Sequence, residues 1–252
     1  MDLSVFVPPA LSAELSILLI VVSAVTSAIA GAFGIGGGVA MLAVMAAIVP
    51  IHALIPLHGV VQVGSNAGRA TLLARSARWQ MLTTFVVGSL LGIAVGVLLV
   101  SDLPAAALKS IIAIFVLWTT WARLPTFGGK ARIAIFSGGA FSSLLTMFVG
   151  ATGPFVIALF RQAGLIKEPL VATHAVAMFV QHGMKIVAFG VIGFAYGEWL
   201  WLLAAMLAAG FLGTWVGTRA LRRMPEAAFR TALKWILTVI GIQLLVTAIW
   251  PL

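Results

Sequence analysis

The sequence predicts an all-α, polytopic integral membrane protein. About ten hydrophobic helices, two of them short and broken by glycine, form two inverted repeats of five. Three observations lead there. First, 62% of the 252 residues are hydrophobic and only 8% are charged, against about 25% charged in a soluble domain; the mean hydropathy is +1.19. Second, the apolar residues gather in runs close to the ~20 residues that a spanning helix needs. Third, unusual residues recur in the same order in the two halves. The composition excludes a soluble enzyme, a disordered chain and a coiled coil.

The runs follow in order. Leu11–Phe33 is the first, and Met1 to Ala10 before it carries no basic region, so it reads as a retained helix and not a cleaved signal. Gly38–Val49 is short and stops at Pro50. Ala53–Ala74, Met81–Val100 and Pro104–Ala122 complete the first five. A polar gap, Arg123 to Arg132, gathers Gly, Pro and charge and reads as a hinge between halves. The second five are Ile133–Val149, the short Pro154–Phe160, Leu170–Gly190, Trp199–Thr218 and Ala227–Trp250. The domains are therefore 1–125 and 126–252, two repeats of one membrane unit. In each half the second run is too short to cross ~30 Å of hydrocarbon comfortably, so it either spans or re-enters.

The two halves match at an offset of 116. That offset carries Gly34-Ile-Gly-Gly-Gly38 onto Gly150-Ala-Thr-Gly-Pro154, His58 onto His174, and Arg69 onto Lys185. Gly92 and Gly96 meet Gly213 and Gly217 at an offset of 121, a slip that a loop absorbs. The 15 basic residues outnumber the 6 acidic ones. The basic residues fall in short gaps, where they orient the chain and do not indicate nucleic acid. If Arg75 and Arg78, Arg123 to Arg132, Arg161 and Lys167, and Arg219 to Arg230 are all cytoplasmic, two crossings separate each consecutive set. Five crossings per half is odd, which inverts the second half relative to the first. Inverted repeats recur among secondary transporters.

Two sets of residues can carry chemistry. The glycine-rich breaks, Gly34, Gly36, Gly37 and Gly38 in one half and Gly150, Thr152, Gly153 and Pro154 in the other, are poor helix. Each opens a short helix, whose N-terminus offers unpaired N–H groups and partial positive charge to an anion. Pro154 suits a first helical turn. The structural alternative is that the glycines only let helices pack closely. The second set is a polar stripe. His58, Gln62, Ser65, Asn66 and Arg69 share one face of the third run, and His174, Gln181, His182 and Lys185 answer them on the eighth, with Met178 opposite Gln62. Polar groups at membrane depth usually line an interior path, although Arg69 and Lys185 could instead snorkel to the headgroups. Asn66, Thr152, Gln181, Arg69 and Lys185 are the expected anion ligands alongside the breaks. His58, His174 and His182 are the proton-coupling candidates, because imidazole titrates near neutrality.

No carboxylate falls in mid-run: Asp2, Glu14, Asp102, Glu168, Glu198 and Glu226 all lie at run ends or in loops. With no Cys either, the residues predict neither a metal site nor a cofactor, and no catalytic group. The inventory of amides, hydroxyls, imidazoles and cations suits an anion. The expected partners are a small anionic substrate and the lipid bilayer, with no nucleic acid and with a homo-oligomer left open.

With Gly34-Ile-Gly-Gly-Gly38, the Trp79 that leads into Gly88, Gly92 and Gly96, and a second copy of that plan after residue 133, the chain resembles the sulfite exporter TauE/SafE family. The likeness covers about residues 12–250. It departs in the second half, where Gly150 to Pro154 replaces a triple glycine. The resemblance implies outward movement of small sulfur-containing anions, such as sulfite or sulfoacetate, across the plasma membrane of a bacterium. A passive channel for anions or small solutes, or a scaffold subunit that transports nothing, are the alternative readings.

Overall fold

The computed structural model describes residues 7–33, 36–100 and 131–220, with scattered positions between 107 and 121 and between 231 and 249. Eight helices are defined among them, and no strand. They are α1 (Ala13–Phe33), α2 (Gly37–Ile48), α3 (Ile51–Leu73), α4 (Trp79–Leu99), α5 (Ala131–Val149), α6 (Gly153–Gln162), α7 (Lys167–Val191) and α8 (Leu200–Ala220). Each starts and stops close to the run that predicts it. The runs 104–122 and 227–250, the gap 123–130 and Gly34 lie outside the continuously described residues, so ten helices reduce to eight here.

Among the described residues, five segments are long and apolar enough to cross a bilayer: Ala13–Gly31, Trp79–Leu99, Ala131–Val149, Glu168–Val191 and Tyr196–Gly217. α3 has 23 residues, the length of a span, but its polar stripe dilutes its hydropathy. At ~1.5 Å per residue, the 12 residues of α2 and the 10 of α6 reach only about 18 and 15 Å, half a membrane.

Glycines decide how the long helices meet. A Cβ on Gly88 or Gly92 of α4 would sit 2.1 Å from the carbonyl oxygen of Phe136 or Ala140 on α5, and Gly139 returns the contact against Phe85. Residue numbers rise together along this seam, so α4 and α5 run parallel. The same holds for α1 and α8: Gly213 lies against Ala24, Gly217 against Ala28, and Ser23 Oγ donates to the Met206 carbonyl at 2.8 Å. The first helix of each half thus packs on the fourth helix of the other, the close small-residue contact expected in lipid.

α3 and α7 cross antiparallel at the centre. His58 meets His182 edge-on at 5.9 Å between ring centroids, and Gly59 lies against Lys185. At one end of this pair Ser76, just past α3, meets Glu168 in the first turn of α7. The described basic residues Arg75, Arg78, Arg132 and Arg161 all flank helix ends on that side; we call it the basic end. Apolar side chains such as Leu19, Met41, Leu54 and Met206 are fully buried inside, while Leu98, Val191, Phe211 and Ile133 point outward, as lipid-facing residues do.

Candidate functional site

Both chain breaks lie beside the α3–α7 crossing. Gly36 takes φ of 93° and Gly150 φ of 85°, left-handed values that a residue with a Cβ adopts only with strain. Gly37 lets α2 leave directly against α1, since a Cβ there would lie 2.0 Å from the Thr26 carbonyl oxygen. The first turns of α2 and α6 therefore converge from opposite halves on one small, partly open space of ≈ 30 Å³, room for about two water-sized groups.

Gly36 and Gly38 form one wall of this cavity, and Gly153 and Pro154 form another. The stripe supplies His58, Asn66 and Arg69 from α3, and His174 and His182 from α7. Nine of the residues predicted from sequence thus line a single space. Gln62 and Met178 join them. Both belong to the stripes, and their helical spacing was the signal that could have placed them in the site. Arg69 is only 6% exposed and sits deep in the fold. Its Nη1 donates to the Ala30 carbonyl at 3.0 Å, and its Nη2 to Asn66 Oδ1 at 3.0 Å. No Asp or Glu lines the cavity among the described residues, so Arg69 sets its electrostatic sign.

The remaining predicted residues stand one layer behind. Thr152 Oγ1 donates to Gln181 Oε1 at 3.0 Å, and Gln181 Nε2 donates to Ser142 Oγ at 3.0 Å and Ser143 Oγ at 2.7 Å. This network pins the second break to α5. Lys185 is fully buried; its Nζ donates to the Gly150 carbonyl at 3.1 Å. Gly37 and Gly150 shape the breaks without lining the space. Gly34 lies outside the described residues.

The two halves repeat each other's bonds. His58 Nε2 lies 2.9 Å from the Gly38 carbonyl, and His174 Nε2 lies 3.1 Å from that of Gly153. A carbonyl only accepts, so both nitrogens donate. Likewise Arg69 and Lys185 each bond a carbonyl where the first helix of its own half ends. The Nδ1 atoms of His174 and His182 are buried without a hydrogen-bond partner among the described residues. Among the described residues no cluster of His, Asp and Glu has metal-binding geometry.

Spanning helices around a buried cavity at two helix N-termini, with Arg69 in its wall, define a multi-pass membrane protein. The chain belongs to the sulfite exporter TauE/SafE family, whose family model matches residues 18–244. No curated protein and no solved structure matches it. The family is one of membrane transport proteins, and this chain is a multi-pass membrane member of it.

Proposed function

We propose that the protein is a secondary transporter that exports a small sulfur-containing oxyanion, sulfite or a short sulfonate such as sulfoacetate, across the bacterial inner membrane. The observation that carries this reading is the cavity itself. Two helix N-termini and Arg69 face one buried space, and no described carboxylate does. Backbone N–H groups at helix starts and a guanidinium fork both match oxyanion geometry. The two halves, 1–125 and 126–252, act as inverted repeats. Support comes from the antiparallel α3–α7 crossing and from the exchanged partners of α1 and α4. The basic end faces the cytoplasm. The protein needs no cofactor and catalyses no reaction; its partners are the anion and the lipid.

His58, His174 and His182 couple the anion to a proton. Because Nε2 of His174 already donates to a carbonyl, its buried, unpartnered Nδ1 presents a lone pair to an incoming anion until a proton joins it. Anion and proton therefore bind together.

The test is thermal stability of the purified protein against sulfite, sulfate, thiosulfate, sulfoacetate, taurine, acetate and chloride at equal ionic strength. A ligand that binds only the folded state stabilises it by mass action, about 2.7 kcal/mol at a hundredfold excess over Kd. A saturable shift with a sulfur oxyanion, absent with chloride and larger at lower pH, is the expected result. No shift with any anion sinks the reading and favours a scaffold. Non-saturating flux in vesicles favours a channel.

A further inference from the structure

The two ends of the α3–α7 pair are in different states. At the basic end, the turn after α3 is strapped to the start of α7. Ser76 Oγ donates to Glu168 Oε1, and the Arg78 N–H donates to Thr173 Oγ1 at 3.0 Å. The offset of 116 that relates the halves carries Glu168 onto His52 and Ser76 onto Ile192. At the opposite end the corresponding elements are the first turn of α3 and the turn after α7. They do not close on each other. Between them lies a chamber of ≈ 370 Å³, lined by His52, Ile55 and Pro56 on one side and by Phe189, Ile192 and Phe194 on the other.

We infer that these are two gates of one device, and that the structure holds the basic-end gate shut and the opposite gate open. This rests on the transport reading above and adds to it the residues that close each side. The chamber is the outer passage. When the outer gate shuts, the turn Ile192–Phe194 seats on the first turn of α3, as Ser76 now seats on Glu168, and the inner strap lets go. Pro56 provides the hinge. It lies inside α3 and has no N–H to bond the His52 carbonyl, so the first turn is only loosely tied to the helix. The two gates differ in chemistry: the inner one closes through hydrogen bonds, the outer one by burying the exposed Ile192 and the half-buried Phe194.

The chain has no Cys, so single cysteines report without background. Phe148→Cys places a thiol in the chamber wall. In intact cells, a membrane-impermeant thiol reagent labels it from outside. Adding Glu168→Ala with Thr173→Val removes both bonds of the inner strap and slows that labelling at least threefold as the outer gate closes; Glu168→Gln with Thr173→Ser, which keeps both acceptors, restores most of the rate. Ser76→Cys with Glu168→Cys, joined by a short thiol linker, stops sulfite efflux from loaded vesicles and recovers it on reduction. Labelling of Phe148→Cys that ignores Glu168→Ala with Thr173→Val, or full efflux with the linker in place, overturns the assignment. Glu168 is exposed, and Val fills the space of the buried Thr173, so neither pair of substitutions empties the core. The labelling arm contains no anion. If labelling responds while sulfite does not move, the gates stand and the substrate reading falls.

Discussion

Arg69 is the residue on which the site's sign depends. Its guanidinium is held by the Ala30 carbonyl and Asn66, so the fork is fixed before any anion arrives. Arg69→Ala abolishes both sulfite-dependent stabilisation and efflux while leaving the protein in the membrane. Arg69→Lys keeps a charge but loses the fork, and we expect binding weakened at least tenfold by the same melting assay. Gln181 is different in kind. It spends its amide on Thr152, Ser142 and Ser143, and Gln181→Ala strands those buried groups at a cost of about 1–3 kcal/mol each. Its signature is a lower melting temperature without anion. From sequence the two residues looked alike, both polar on a helix in membrane. Spacing along a helix tells which residues share a face, but not whether that face meets a cavity or a neighbouring helix.

At the scale of elements, the glycine seams bear the closest contacts. A Cβ at Gly92 would lie 2.1 Å from the Ala140 carbonyl oxygen, and one at Gly213 would lie 1.9 Å from that of Ala24. Both neighbours are backbone, which cannot rotate away. Gly92→Ala and Gly213→Ala each force a pair of helices apart, at about 1–3 kcal/mol on the scale of overpacked cores. Lower detergent melting temperatures for both, with Gly68→Ala near neutral because nothing lies within 4 Å of it, is the expected pattern. The helices were legible because hydropathy is written continuously along each run, and Trp79, Pro50 and Gly36 mark ends by local rules. The short α2 and α6 were legible for the same reason. Which helix packs on which was not. Small residues mark a seam without naming its partner, and α1 finds its own 183 positions away in sequence.

The whole molecule follows from that exchange. Among the described residues, neither half contains the glycine-seam partner of its own first and fourth helices. Expressed separately, residues 1–125 and 126–252 each leave glycine faces uncovered, and we expect both to be degraded. Expressed together, they assemble and recover efflux; a stable, monodisperse 1–125 fragment would count against the interlocked arrangement. The offset of 116 hinted at two equivalent units, and the charge pattern hinted that one is upside down. Only the packing shows how tightly the two depend on each other. The gates share this property, since each is made from a turn of one half and a helix start of the other.

The parallel seam between α1 and α8 also has a consequence in time. Ser23 must wait for Met206. At ~5–20 residues per second, the ribosome needs roughly 10–40 s to make the intervening chain. Throughout that interval α1 sits in the membrane with its small-residue face against lipid or against whatever accompanies the nascent chain. α1 thus finds its place only once α8 has been made, and a ribosome that stalls before α8 leaves an inserted fragment that cannot be finished.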